Sequence, residues 1–109
     1  MTEKEEIKVE DNGLRDYELV LIISPELADE VLEATVDSVS KFVTESGGAV
    51  SDVERWGKRK LAYPLKHFME GNYVLARFKM NPASGKQLEA NLRISEDVLR
   101  HLLIRLDEV

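Results

Sequence analysis

From Arg15 to Ile23 apolar and polar positions alternate: Tyr17, Leu19, Leu21 and Ile23 fall on one face of an extended strand, Asp16, Glu18, Val20 and Ile22 on the other. The first face predicts core. The second turns from charged to apolar along its length, so Val20 and Ile22 need a cover. Ser24 before Pro25 predicts an N-cap and a first helical position, with Glu26 and Asp29 near the positive end of the helix dipole. Leu27, Val31, Leu32, Ala34, Thr35, Val39, Phe42 and Val43 then keep a three-to-four spacing, and Gly47-Gly48 predicts the stop.

Val50 to Tyr63 predicts a long strand, its alternation broken by a bulge or strong twist around Arg55 to Gly57, and Pro64 is expected to end its pairing. Glu70-Gly71-Asn72 predicts a turn into the strand Tyr73 to Met80, in which Val74, Ala76, Phe78 and Met80 alternate with Tyr73, Leu75, Arg77 and Lys79. The two strands make a hairpin with Lys66 and His67 near its tip. Pro82 opens a shorter helix with Ala83, Leu88 and Leu92 on one face, and Val98 to Leu106 reads as a last strand whose parity the pattern leaves open. The order βαββαβ predicts an α+β, ferredoxin-like sandwich: a four-stranded antiparallel sheet with two helices on one face. Its other face is left with Val20, Ile22, Tyr73 and Leu75. That implies a partner surface, or else an ordinary amphipathic sheet with scattered exposed apolar residues.

A length of 109 residues fits one domain, expected over residues 14–109. Before it, residues 1–13 carry five carboxylates against two lysines and few apolar side chains, and read as a disordered acidic extension. Cysteine is absent, which excludes disulfides and thiolate chemistry. No apolar run nears the ~20 residues that span a bilayer and no signal segment is evident, so a soluble, intracellular protein is expected. A net charge of -6 argues against a general nucleic-acid coat. Against that background Arg55 to Lys66 holds five cations and no carboxylate. Such a local field fits a placed phosphate contact; lysines blunting an edge strand would look the same.

Phosphate-cradling glycine loops and the zinc-protease motif are missing, and neither His67 nor His101 has carboxylates at ligand spacing. The serines fit caps and turns. No catalysis, metal or cofactor is expected. The basic-Gly-aromatic motif of RNA-recognition modules is also missing, so any RNA contact is expected through phosphate and shape.

Arg15-Asp16-Tyr17-Glu18, Trp56-Gly57-Lys58-Arg59-Lys60-Leu61-Ala62-Tyr63-Pro64, Gly71-Asn72-Tyr73 and Leu92-Arg93-Ile94 together resemble the bacterial small-subunit ribosomal protein six family, from about Arg15 to Asp107. The resemblance implies a cytoplasmic, structural constituent of the small ribosomal subunit. It would bind the central domain of 16S rRNA as a heterodimer with ribosomal protein eighteen. By that analogy Arg15, Lys58, Arg59, Lys60, Arg93 and Arg100 are expected at RNA, and Val20, Ile22, Trp56, Tyr63, Tyr73 and Leu75 at the protein partner. The acidic extension departs from the family's usual start. A small-molecule-binding regulatory domain of the same topology is the alternative from another class, and an enzyme centred on His101 lacks a paired acid or nucleophile.

Overall fold

The computed structural model describes residues 13–106. The stretch expected to be a disordered extension therefore lies, apart from Gly13, outside the described residues. Strand β1 (Arg15–Ile23) buries Tyr17, Leu19, Leu21 and Ile23 as its alternation predicts. It is a central strand and must satisfy a ladder on both edges, which it does: with β2 (Ala49–Leu65), β3 (Phe68–Met80) and β4 (Val98–Arg105) the sheet order is β2-β3-β1-β4, antiparallel throughout. The rings of Tyr17 on β1 and Phe78 on β3 stack with centroids 6.0 Å apart.

Helix α1 runs over Asp29–Glu45, starting four residues later than Pro25. The Ser24 hydroxyl does accept from the Glu26 backbone N–H (3.3 Å), but it closes a local turn. The Ser24 backbone N–H is spent on the Asp97 carbonyl at 2.8 Å, which fastens the end of β1 to the approach of the last strand. Residues 25–28 then lift the chain off the sheet. The buried face of α1 is Val36, Val39 and Val43, with Leu27, Leu32 and Phe42 partly buried against it; Val31 and Ala34 are exposed, and Val36 is a core position the spacing argument missed.

β2 (Ala49–Leu65) and β3 (Phe68–Met80) form a hairpin longer than predicted. Its turn is Lys66-His67, both in the left-handed region (φ 48° and 73°), and Leu65 pairs with Phe68. Pro64 thus does not end the pairing. It lies in an irregular stretch of an edge strand, where a missing N–H costs little. Glu70-Gly71-Asn72 is not a turn but strand, paired to Lys60, Arg59 and Lys58. Tertiary contacts override its turn-like composition. A Cβ on Gly71 would stand 2.4 Å from Ile22 Cγ2, so only glycine fits, and the Asn72 side-chain amide donates to the Ser24 carbonyl at 3.1 Å. The expected bulge is present: the register slips between Arg55 and Gly57, Trp56 is the extra residue, and Gly57 takes φ +83°.

Asn81 caps a 3-10 turn (Pro82–Ser84) through its side-chain oxygen, which accepts from the Ala83 N–H at 2.9 Å. Helix α2 (Gly85–Ile94) buries Leu88 and Leu92, whereas Ala83 is exposed and shares no core face. Strand β4 (Val98–Arg105) closes the sheet beside β1. Val98 joins the core, and a slip in the β1–β4 register between Ile22 and Ile23 resets the alternation. From there Leu103 faces the core, while Arg100, Leu102 and Ile104 face away from the helices. That settles the parity the sequence pattern left open.

Candidate functional site

The sheet face without helices is read directly from the register. One row across it is Asp52, Arg77, Glu18 and Ile104; the next is Glu54, Leu75, Val20 and Leu102; the third is Gly57, Tyr73, Ile22 and Arg100. Charge is divided along this face. At the end where β1 begins, one guanidinium serves three carboxylates: Arg77 Nε donates to Glu18 (3.1 Å) and its Nη1 to both Asp52 (3.1 Å) and Glu54 (3.0 Å). Lys79 pairs with Asp16 next to them at 3.2 Å. Glu54 also accepts from the Trp56 indole N–H at 2.9 Å; that bond first, and Arg77 second, hold its carboxyl below the ordinary carboxylate range. Glu54 foremost, then Glu18, push the Arg77 guanidinium up in return.

The opposite end, where β1 finishes, is cationic and aromatic. Lys58, Arg59 and Lys60 are all exposed on edge strand β2, but consecutive strand residues alternate faces. Arg59 shares the open face with Trp56, its guanidinium carbon 5.1 Å from the centre of the indole ring. Lys58 and Lys60 point to the helix side of the hairpin arm. Neither makes an ion pair among the described residues. Arg55, a further cation of the segment, is spent internally: its guanidinium grips the Glu33 carboxylate of α1 with two bonds, which lowers the Glu33 pKa and raises that of Arg55. The hairpin arm also reaches β4, where Arg100 Nη1 donates to the Tyr63 hydroxyl at 2.6 Å and Lys66 Nζ to the Val98 carbonyl at 3.5 Å.

The residues expected at RNA are therefore only partly brought together. Lys58, Arg59, Lys60 and Arg100 gather at one end of the sheet, and Arg93, in the last turn of α2, stands at the same end on the helix layer. Arg15 opens β1, eight residues and about 26 Å from that end, and faces the helix side. Of the residues expected at the protein partner, Trp56 and Tyr63 are exposed, Val20, Ile22 and Tyr73 are half-buried, and Leu75 is only 5% exposed. Leu75 sits on the open face, as its parity predicts, but mid-row on a central strand whose neighbours cover it. Met69 is exposed on the hairpin arm, and the β4 edge exposes three aliphatic side chains outside the expected set, Leu102 (49%), Ile104 (38%) and Leu106 (47%). Periodicity missed them because their parity depends on the register slip. On the helix side, Val31 and the 80% exposed Ile94 flank a groove between α1 and α2.

The profile of the family Ribosomal protein S6 matches residues 16–105, which span every strand and both helices. The chain belongs to the ribosomal protein S6 family. It is similar to small ribosomal subunit protein bS6 of Dehalococcoides mccartyi strain 195, with 43% identity over 108 residues that cover 99% of each chain. It is also 43% identical over 95 residues to small ribosomal subunit protein bS6 of Moorella thermoacetica, covering 87% of this chain and 97% of that one. The first alignment takes in the acidic N-terminal stretch, so a start of this length is not peculiar to this chain. Among solved structures, 30S ribosomal protein S6 from Thermotoga maritima superposes with a TM-score of 0.79 at 34% identity, over 84% of this chain and 87% of that one. The family is one of structural, non-enzymatic components, and membership makes the chain a structural constituent of the small ribosomal subunit, associated with the ribosome in the cytoplasm.

Proposed function

We propose that this chain binds the central domain of 16S rRNA together with ribosomal protein eighteen, as a scaffold without turnover. One observation carries the reading: the open sheet face ends in a cluster of exposed cations and aromatics while its β4 edge leaves three large aliphatic side chains in water. The cations at Lys58, Arg59, Lys60 and Arg100, with Arg93 beside them, suit phosphates of a folded RNA. Arg15, at the far end, would meet RNA only where the nucleic acid wraps the domain. The aliphatic edge at Leu102 and Ile104, continued by Val20 and Ile22, suits the protein partner. Trp56 and Tyr63, expected at that partner, stand instead among the cations, where they would touch either.

Each partner pre-orders the other's contacts, so binding is cooperative. The test is a filter-binding titration of a central-domain 16S fragment with this chain alone, with ribosomal protein eighteen alone, and with both. Tight, salt-sensitive binding only in the mixture is expected. Equal affinity of the chain with and without its partner would overturn the proposal.

A further inference from the structure

The charge division on the open face assigns a polarity to this complex, and the inference rests on the proposal above that a protein covers the apolar edge. Three carboxylates, Glu18, Asp52 and Glu54, share the single guanidinium of Arg77, which leaves two negative charges uncompensated on side chains that are 24%, 48% and 43% exposed. They do not stand apart from the apolar surface. Glu18 is the register neighbour of Ile104, and Glu54 lies in the row of Leu102. The aliphatic edge and the excess carboxylates therefore form one continuous surface. RNA is a poor occupant, because its phosphates would meet like charge. A neutral apolar segment would be poor too: it would desolvate the carboxylates and return nothing.

We infer that the protein partner docks on this half of the sheet through a basic, amphipathic segment, setting aliphatic side chains on Leu102 and Ile104 and lysine or arginine on the Asp52 and Glu54 carboxylates. On this face the RNA is thereby confined to the other end, about five strand residues or some 16 Å away. The acidic rim does two things at once. It steers a cationic protein to the face and keeps the polynucleotide off it.

The experiment compares the full-length chain with its D52N/E54Q and Leu102→Ser variants, by isothermal titration and stopped-flow association with purified ribosomal protein eighteen at low and high salt. Both D52N/E54Q substitutions preserve shape and sit on exposed side chains, and thermal melts verify the fold. The double variant is expected to associate roughly tenfold more slowly at low salt and to converge on the parent at high salt. Leu102→Ser should weaken binding while keeping the parent's salt dependence. If the parent binds the protein and D52N/E54Q matches it at every salt concentration, the polarity inference fails while the heterodimer stands. If the parent shows no binding to ribosomal protein eighteen at all, the underlying proposal fails. A double variant that gains affinity for the partner would overturn the inference outright.

Discussion

Leu75 and Leu102 lie in the same row of the same sheet face, separated by Val20, yet the structure gives them opposite jobs. Leu75 is 5% exposed on a central strand, so Leu75→Ala removes three heavy atoms from a packed site that neighbouring side chains only partly refill. A cost of about 2.5 kcal/mol follows for a buried leucine truncated this way. Leu102 is half in water before and after substitution, and Leu102→Ala should cost under about 1 kcal/mol. Urea unfolding distinguishes them readily. At a slope of about 1.3 kcal/mol per molar urea, Leu75→Ala moves the midpoint down by about 2 M and Leu102→Ala by less than about 0.8 M. Trp56 is the sole tryptophan, so its fluorescence follows the transition, with far-UV circular dichroism as a second probe of two-state behaviour. Binding to the protein partner should reverse the order, Leu102→Ala losing affinity and Leu75→Ala retaining most of it once folded. If Leu102→Ala destabilises the isolated chain as much as Leu75→Ala does, the β4 edge is core and the partner face has been misplaced.

Replacing Gly71 with alanine puts a Cβ 2.4 Å from a branched and therefore stiff side chain, so a loss of about 1–3 kcal/mol is expected in the same urea titration, and an unchanged midpoint would mean that β1 and β3 are not in this register. Lys58→Gln with Lys60→Gln should leave the melting temperature unchanged and reduce the slope of log affinity for the RNA against log salt by roughly 1.5–2, as the loss of two phosphate contacts requires; an unaltered slope would show that they only blunt the edge strand. Glu33 and Glu54 both have depressed carboxyl pKa values, so their contribution to stability is present above the ordinary value near 4.5 and is lost as pH falls through the depressed ones. At low salt the E33Q/E54Q variant should therefore lose melting temperature less steeply than the parent on acidification below about pH 5, and parallel profiles would exclude these pairs as a source of acid sensitivity. Trp56 emission should change when either partner binds, since the indole stacks against Arg59 at the cationic end and its N–H donates to Glu54 at the acidic one; an emission indifferent to the RNA would remove Trp56 from the cationic surface.

Much of the fold was legible because simple periods were obeyed. β1 alternates without exception, and each of its core residues is predicted by parity alone. The errors share a physical origin, which is local chemistry serving tertiary geometry. Ser24-Pro25-Glu26 carries a helix-start signature, but its hydroxyl closes a turn and its backbone holds the approach to β4, so the helix begins only at Asp29. Glu70-Gly71-Asn72 has the composition of a turn, yet its glycine admits Ile22 and its asparagine satisfies the Ser24 carbonyl. The real turn, Lys66-His67, contains no glycine despite two left-handed residues, so no turn-former marked it.

The site was harder to read than the fold because neighbouring residues in a strand point to opposite faces. A basic run such as Lys58-Arg59-Lys60 looks like one prong in sequence, but the pleat divides it: one cation joins Trp56 on the open face and two project to the other side of the arm. Conversely, Glu18, Asp52, Glu54 and Arg77 come from three strands and are scattered over sixty positions, so nothing in the linear order marks them as one network. The same pairing that hides them aligns the acidic rows with the start of β1 and the cationic row with its end. Register alone therefore decides that this sheet face is polar along its strands. A single-residue slip of β2 against β3 would flip its charged side chains to the opposite face, dissolve the Arg77 network and leave Leu75 without its cover.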